Sequence, residues 1–364
     1  MSAVKEPLLH ILKRDGIHPA RALMIRLAAV LASLVVCAVV IVLITGLNPL
    51  EVYAGIWDGA VGTNRRMWVT FRDAAILLCI GLAVTPAFRM RFWNIGAEGQ
   101  TLAGAMAAAA VMIYLRDAPA WAVYALCPLA GVAAGMLWGL LPAVCKARWN
   151  TNETLFTLML NYVATQVVSF GIVYWENPKG SNHVGLINSS GRQGWLPDLA
   201  GNGYLLPILI VLTLTALLYI YMNFTKQGYE IAVVGESENT ARYAGIRVSR
   251  VIVRTMALSG AMAGVAGYLL TCGVGHTIST SLVGGRGFTA IVVAWLAKLN
   301  PLAMTLVAFL LVFMQKGANQ IATQFGLNEN ASEILTGIIL FFVLGCEFFI
   351  RYRVAVRRRG EGVK

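Results

Sequence analysis

Nine residues of the sequence, FWNIGAEGQ, place one carboxylate and two side-chain amides between long apolar stretches. A charge at the centre of a bilayer costs about 2.5–3.5 kcal/mol, so polar groups in such a position are informative. Asn94 is suited to cap a helix start, and Glu98 would then lie in the first turn, where the helix dipole stabilises an anion. The alternative is a broken helix whose polar groups face a transport path. The residues alone leave both interpretations open.

A second polar pattern runs along NETLFTLMLNYVATQVVSF, residues 152–170. Hydroxyl and amide side chains recur there at spacings of three and four, which places them on one face of a helix. Asn161 is the strongest of them because its amide both donates and accepts hydrogen bonds. Such a face suits a water-lined path for uncharged solutes such as nucleosides or sugars, or hydrogen bonding between helices. The residues of this stripe are Thr154, Thr157, Asn161, Thr165 and Ser169.

Motifs for catalysis are missing from the sequence. The phosphate-binding pattern GxxxxGK followed by Ser or Thr does not occur, and neither do HExxH and GxSxG. The four histidines are scattered, and the six cysteines lie in or at the ends of apolar segments without a CxxC pair, as small apolar residues do. We therefore expect no catalytic residue, no metal site and no resident cofactor.

The elements that must position these polar groups are membrane helices. Of 364 residues, 58% are hydrophobic and 13% are charged, whereas a typical soluble domain has about 25% charged residues. Long apolar runs, rather than short alternating ones, predict an all-α polytopic membrane protein. We expect about ten spans, or eight if 282–318 is a re-entrant hairpin. They lie near 24–45, 70–88, 95–115, 119–143, 154–175, 204–223, 252–273, 282–298, 301–318 and 334–350.

The formal net charge of +12 reflects basic residues at the edges of the apolar runs. This is the pattern of membrane topology, so we expect lipid and not nucleic acid as the surroundings. Most Lys and Arg residues fall on one side if both termini are cytoplasmic. The transmembrane domain would then cover 24–350, between a cytoplasmic segment 1–23 and a basic tail 351–364, in a bacterial cytoplasmic membrane. An external loop is expected at about 176–203 and a cytoplasmic loop at about 224–254.

The predicted cytoplasmic loop has the signals of an ordered structure. Ser237 or Asn239 can cap a short helix that runs through Tyr243, Gly245 suits the left-handed position after it, and Ile246 suits the apolar contact that often follows. The alternative is an amphipathic loop on lipid headgroups. Elsewhere, glycines spaced by four predict close packing between helices. These glycines are Gly131, Gly135, Gly139, Gly260 and Gly264.

Four stretches together resemble the permease subunits of bacterial ABC importers. They are FWNIGAEGQ, NETLFTLMLNY, GYEIAVVGESENTARYAGI and GGRGFTAIVVAWLAKLNP, within a resemblance that extends from about Phe71 to Phe349. The branch it is similar to takes up nucleosides and simple sugars with a basic-membrane-protein-type binding lipoprotein, and is related to the ribose and branched-chain amino-acid permeases. The resemblance implies a cytoplasmic ATPase that uses ATP and Mg²⁺, an extracytoplasmic binding protein, and a second, different permease subunit.

The resemblance also implies a loop that docks on the ATPase and a central solute path. We expect the docking residues to be Gly235, Glu236, Asn239, Arg242, Tyr243, Ala244 and Gly245. The residues expected near the path are Asn94, Glu98, Gln100, Thr157, Asn161 and Thr165. Our leading hypothesis is a permease for nucleosides, with simple sugars, purine bases or flavins as alternatives. From another class, an ion-coupled secondary transporter would use Glu98 as its proton or sodium site.

Overall fold

The computed structural model describes residues 9–13, 19–326, 334, 337–338, 341–342, 345 and 352–356. Within them, the regular structure is helical except for two short strands, β1 (Leu9–Lys13) and β2 (Tyr352–Val356), which pair antiparallel. The predicted helical class is confirmed apart from this pair. The chain divides into two compact units, one of residues 67–312 and one of residues 1–66 together with 313–364.

The larger unit contains the polar stretches that the sequence singled out. A π-helical turn, Thr271–Gly275, extends its helix α10. The helices that lie wholly or partly in this unit are α3 (Asn64–Arg89), α4 (Ala97–Tyr114), α5 (Ala120–Trp149), α6 (Glu153–Trp175), α7 (Leu205–Phe224), α8 (Lys226–Glu236), α9 (Glu238–Tyr243), α10 (Val248–Leu270), α11 (Arg286–Leu296) and α12 (Pro301–Phe325).

Within the described residues, six helices are long and apolar enough to cross a membrane. They are α3, α5, α6, α7, α10 with its π-helical extension, and α12, and each lies at a predicted span. Helix α4 occupies the predicted span 95–115, but Glu98 and Gln100 in its first turns make it less apolar. The predicted span 334–350 falls outside the described residues except at single positions. The count of about ten spans and the cytoplasmic termini remain predictions.

The segment 282–318, predicted as two spans or a re-entrant pair, contains two helices of very different length. Helix α11 has 11 residues, about 16 Å at 1.5 Å per residue, which is shorter than a hydrocarbon core of about 30 Å. Helix α12 has 25 residues and is long enough to cross. Lys298 and Leu299 bend the chain between them with φ values of +54° and +58°. The choice between two spans and a re-entrant hairpin stays a prediction.

Helices α5 and α10 pack backbone against backbone in the larger unit. A Cβ at Gly264 would lie 2.1 Å from the carbonyl oxygen of Gly131, and one at Gly135 would lie 2.3 Å from that of Gly260. Since real Cβ atoms essentially never come closer than 3.0 Å to such neighbours, only glycine lets these backbones meet. The predicted packing role of the spaced glycines is confirmed.

In the smaller unit, α1 (Pro19–Thr45) is followed by α2 (Pro49–Val61), a helix that the sequence analysis missed. The Asn48 side chain caps α2 by accepting a hydrogen bond from the Leu50 N–H at 3.0 Å, and Pro49 suits the first turn. Side chains of α1, α2 and the end of α12 form a small apolar core. Its buried members are Cys37, Ile41, Val52, Ile56, Met314 and Ile321.

Candidate functional site

Residues 90–100, which we call the α3–α4 junction, leave α3 through an irregular stretch before α4 begins at Ala97. Arg91 has a φ of +60° at the turn. The N-cap of α4 is Gly96, which offers no side chain. The expected N-cap role of Asn94 is therefore wrong, because its amide serves other partners. Its Oδ1 does accept a hydrogen bond from the Gly96 N–H at 3.0 Å, two residues along the chain.

Asn94 and Gln100 form a buried amide pair. The Asn94 Nδ2 donates to the Gln100 Oε1 at 3.2 Å, and the Gln100 Nε2 donates back to the Asn94 Oδ1 at 3.1 Å. The Asn94 Nδ2 also donates to the Ser259 Oγ of α10 at 3.0 Å. Both amides are at most 1% exposed. In the single chain they are enclosed by protein, and their place beside a solute path stays a prediction.

The polar stripe of α6 supplies the cap that α4 lacks. The Asn161 Oδ1 accepts a hydrogen bond from the Gly99 N–H at 2.9 Å, one of the first-turn N–H groups that a helix cannot satisfy itself. The Asn161 Nδ2 donates to the Ile95 carbonyl at 2.9 Å, and the Thr157 Oγ1 accepts from the Ile95 N–H at 3.2 Å. Thr157 and Asn161 therefore hydrogen-bond α6 to the α3–α4 junction, which is the second of the two alternatives for this stripe.

The remaining members of the stripe are less enclosed. Thr165 is half-buried, and its hydroxyl donates only to the Asn161 carbonyl of its own helix at 3.0 Å. The face of α6 turned away from the junction is exposed and mostly apolar, with Tyr162 and Gln166 as its polar members. The residues of this exposed α6 face are Leu155, Met159, Tyr162, Val163, Gln166, Val167 and Phe170.

Glu98 connects α4 to α11. Its Oε1 accepts a hydrogen bond from the Gly285 N–H at 2.9 Å and its Oε2 accepts one from the Gly287 N–H at 2.7 Å. The carboxylate therefore lies at two helix N-termini, its own and that of α11, and both dipoles favour its charge. A Cβ at Gly287 would lie 2.5 Å from the Glu98 backbone nitrogen, and Gly285 has a φ of +75°. The glycines of GGRG were the signal for this contact, but the sequence analysis did not identify their partner.

Aromatic rings join the junction to the other end of α11. The Trp93 and Trp295 rings stack with centroids 5.5 Å apart, and the Phe88 ring lies 5.9 Å from each of them. Because Glu98 holds the first turn of α11 and Trp93 contacts its last turn, the junction contacts this helix at both ends. The sequence analysis missed the aromatic contact, which joins residues far apart in the chain.

Residues 226–246, which we call the α8–α9 knob, form an ordered structure, as the sequence predicted. The Ser237 Oγ accepts a hydrogen bond from the Thr240 N–H at 3.3 Å and caps α9. After α9, Gly245 has a φ of +76°, and the Ile246 N–H donates to the Ala241 carbonyl at 2.9 Å. This is a Schellman ending, as the sequence predicted. Of the two predicted caps, Ser237 is the one used.

Most of the predicted docking residues of the knob lie on its surface. Tyr243 is 92% exposed, and the Arg242 guanidinium pairs with Glu238 at 3.2 Å. Gly235 differs, because it is buried and a Cβ there would lie 2.1 Å from the carbonyl oxygen of Arg89, the last residue of α3. The exposed members are Glu236, Asn239, Arg242, Tyr243, Ala244 and Gly245.

No group of three or more His, Cys, Asp and Glu side chains that could hold a metal ion is found in the described residues. Ion pairs join two pairs of helices. Arg254 of α10 pairs with Glu230 of α8 at 3.0 Å, and Lys146 of α5 pairs with Glu153 of α6 at 3.0 Å. The first of these attaches the knob to α10.

Comparison with known proteins decides the class of this membrane protein. The family described as the permease component of the branched-chain amino acid transport system matches residues 67–344. The chain belongs to this permease family. It is 31% identical to the guanosine ABC transporter permease of Bacillus subtilis over 88% of this chain and 92% of that protein.

Two further relatives cover most of both chains. The nucleoside ABC transporter permease of Lactococcus lactis is 28% identical over 84% of this chain and 86% of that protein. The glucose ABC transporter permease of Haloferax volcanii is 29% identical over 91% and 90%, respectively. The chain is therefore the permease component of an ABC transporter in the cytoplasmic membrane, and not an enzyme, as the sequence predicted. The ion-coupled alternative is not supported, because the family and its relatives are permease components of ABC transporters.

Proposed function

We propose that this permease imports a nucleoside. The observation that carries the proposal is the identity of 31% to a permease named for guanosine, over nearly the full length of both chains. A relative named for glucose, at 29% identity, keeps a simple sugar as the second candidate. Both solutes are uncharged and rich in hydrogen-bonding groups, which suits side-chain amides that both donate and accept hydrogen bonds.

The permease works with a separate ATPase and a substrate-binding protein, as its family implies. We propose that the ATPase docks on the α8–α9 knob, in the cytoplasm, through the exposed residues around Tyr243. The pairing of β1 with β2 brings residues 9–13 beside residues 352–356, which supports termini on the same side of the membrane. Ten spans, an even number, would place both termini on the same side, and we propose that this side is the cytoplasm.

The solute path, we propose, lies against the exposed α6 face, with a second permease subunit opposite it. A side-chain amide such as Gln166 is costly to expose to lipid, so this face fits a protein or water-filled surface better. Glu98 and Thr165, which are half-buried, are the predicted path residues with accessible side chains. The other four, Asn94, Gln100, Thr157 and Asn161, would shape the wall behind them. We expect the second subunit to be a different permease chain, which gives a heterodimer, because the resemblance in the sequence implies one.

Uptake by cells tests the solute assignment. A strain that lacks this chain should lose uptake of radiolabelled guanosine and regain it when the gene is returned. Unlabelled uridine and adenosine should compete with the label, whereas glucose and riboflavin should not. Uptake in membrane vesicles should require ATP.

Two results would contradict the assignment. Competition by glucose alone would move the solute to simple sugars while leaving the transporter class intact. Uptake by the purified chain in liposomes without any ATPase, driven by an imposed proton or sodium gradient, would contradict the ATP-driven mechanism itself.

A further inference from the structure

At Gly235, which is buried, the backbone of the α8–α9 knob lies directly against the end of α3. A Cβ at Gly235 would lie 2.1 Å from the Arg89 carbonyl oxygen and 3.3 Å from the Met90 Cα. Real Cβ atoms essentially never come closer than 3.0 Å to a neighbour of this kind. The two backbones can therefore be this close only because residue 235 has no side chain. Its neighbour Glu236 is exposed, so the knob presents one face to α3 and another to its surroundings.

The residue that Gly235 touches is the last one before the α3–α4 junction. From Arg89 the chain enters the junction directly, through the turn at Arg91, and has no helix of its own until Ala97. A shift of the Arg89 backbone must therefore be absorbed within these few residues or passed on to their partners.

The junction is bonded too closely to absorb such a shift by itself. Asn94 binds Ser259 of α10, and Ile95 is bonded through both its N–H and its carbonyl to Thr157 and Asn161 of α6. A buried hydrogen bond that breaks leaves a donor or acceptor unsatisfied, at a cost of about 1–3 kcal/mol each. The lower-energy response is for the bonded helices to move together with the junction.

Helix α11 is the element best placed to follow. The junction contacts its first turn through Glu98, with oxygens 2.7 and 2.9 Å from the backbone nitrogens, and its last turn through the stacked ring of Trp93. The whole helix has 11 residues. Since the helix is short and held at both ends, it would move as a rigid body with the junction.

We propose that Gly235 is a positioning residue for transport, whose contact with the Arg89 carbonyl passes movement of the knob into the α3–α4 junction and from there to α6 and α11. The proposal rests on the proposed docking of the ATPase on the knob. Closure of two ATPases would move the knobs. The contact at Gly235 makes the junction follow, and the junction carries the helices that border the proposed solute path.

A competing route runs from α8 to α10 through the pair of Glu230 with Arg254, at 3.0 Å. The two routes differ in what breaks them. A side chain at position 235 separates the knob from the junction and leaves the ion pair in place. The substitution Glu230→Gln removes the charge of the ion pair and leaves the glycine contact in place.

The test is Gly235→Ala in the complete transporter, with permeases, ATPase and binding protein together. We expect guanosine uptake to fall about tenfold or more while the ATPase still co-purifies, so that the solute moved per ATP hydrolysed falls. Glu230→Gln should change this ratio much less. Gly191→Ala is the matched control, because the nearest atom to a Cβ there is 3.8 Å away, and it should behave as the parent.

A distance measurement separates transmission from a general loss of structure. Spin labels on Tyr229→Cys of α8 and Phe288→Cys of α11, both exposed positions, report how far the knob and α11 move relative to each other. The parent should keep nearly the same distance with and without ATP, because the two elements move together. In Gly235→Ala the distance should change on ATP binding, since the knob moves and α11 stays behind.

Three outcomes would overturn the proposal. The first is unchanged solute moved per ATP in Gly235→Ala. The second is loss of ATPase co-purification by this variant, which would make Gly235 part of the docking surface. The third is an equal loss of coupling in Glu230→Gln, which would assign transmission to α10. If the parent transporter itself shows no ATP-dependent uptake, the proposed function fails, and this is seen before any variant is compared.

Discussion

The α3–α4 junction and the α8–α9 knob are both polar interruptions of an apolar chain, and they use their polar groups in opposite ways. In the junction, Asn94 and Gln100 are at most 1% exposed and bond to each other and to α10. In the knob, Tyr243 is 92% exposed. The comparison teaches that polar residues in a membrane sequence can mark two different things, groups used for the chain's own fold and groups that the fold leaves exposed.

The physical origin of the difference lies in how each backbone is satisfied. The knob closes its own helix ends, with Ser237 at the start of α9 and the Schellman turn at Gly245, so its surface side chains are not needed for folding. The first turn of α4 begins at Gly96, which cannot cap it. Its free N–H groups therefore need side chains from elsewhere, and Asn161 of α6 accepts from one of them, the Gly99 N–H.

The largest effect on stability is expected for Asn161→Ala in the junction. The substitution leaves the Gly99 N–H and the Ile95 carbonyl without partners, and both were bonded at 2.9 Å. Two unsatisfied buried groups should lower the free energy of unfolding by on the order of 3 kcal/mol. Thermal unfolding of the detergent-solubilised permease should detect a midpoint lower by several degrees.

Gln166→Ala is the matched amide control on the same helix. Gln166 lies on the exposed α6 face and not against the junction, so its loss should change the midpoint far less. Equal midpoints for the two variants would mean that the hydrogen bonds of Asn161 contribute nothing to stability. The conclusion that the junction uses its polar groups for folding would then be wrong.

A smaller effect is expected for Glu98→Gln, which keeps the shape of the side chain. One amide oxygen can still accept from Gly285 or Gly287, but the amide nitrogen then faces the other N–H, donor against donor. The free energy of unfolding should fall by about 1–2 kcal/mol. Glu238→Gln in the knob makes the same chemical change in an exposed i,i+4 ion pair, where the expected cost is about 0.3–0.5 kcal/mol.

The two Glu→Gln variants are compared by thermal unfolding under the same detergent and salt. A shift for Glu238→Gln as large as that for Glu98→Gln would show that the knob depends on its charged surface for stability. Raising the salt concentration should remove what remains of the Glu238 effect, because exposed charges are screened, and should leave the Glu98 effect nearly unchanged.

The same contrast explains what could be predicted from the sequence. The cap at Ser237, the left-handed Gly245 and the end of α9 were predictable because each depends on residues within one or two turns. The junction was recognised as unusual, but its partners were not. Gly99 and Asn161 are 62 residues apart, and Gly285 and Glu98 are 187 apart. Nothing in local spacing indicates which distant backbone a buried amide or carboxylate will bind.

The stripe on α6 illustrates this limit. Its spacing predicted one polar face correctly, and Thr157 and Asn161 do point the same way. Spacing cannot tell whether that face meets water or another helix, since both need hydrogen-bonding groups. Helix α11 begins after the left-handed Gly284 and Gly285 and ends before the bend at Lys298 and Leu299, inside the span predicted at 282–298.

A still smaller effect on overall stability is expected for Gly245→Ala in the knob. Nothing lies within 4 Å of a Cβ at this position, so the cost comes from the backbone alone, at a φ of +76°. Placing a non-glycine residue there should cost about 1 kcal/mol. Hydrogen exchange of the Ile246 amide, which donates to Ala241, should become faster. Asn tolerates this conformation better than Ala, so Gly245→Asn should restore much of the protection, and unchanged exchange in Gly245→Ala would contradict the Schellman ending.

The smallest effect on stability, and the sharpest test of what the knob is for, is expected for Tyr243→Ala. With the ring 92% exposed, its removal should change the free energy of unfolding by no more than about 0.5 kcal/mol. If the knob's surface is kept for the ATPase, the same variant should lose co-purification with the ATPase and lose uptake. Tyr229→Ala removes another exposed ring, 66% accessible and on α8, but outside the predicted docking residues, and it should keep both. A Tyr243→Ala permease that is less stable yet still holds the ATPase would make this ring part of the fold, and the knob would then resemble the junction instead of differing from it.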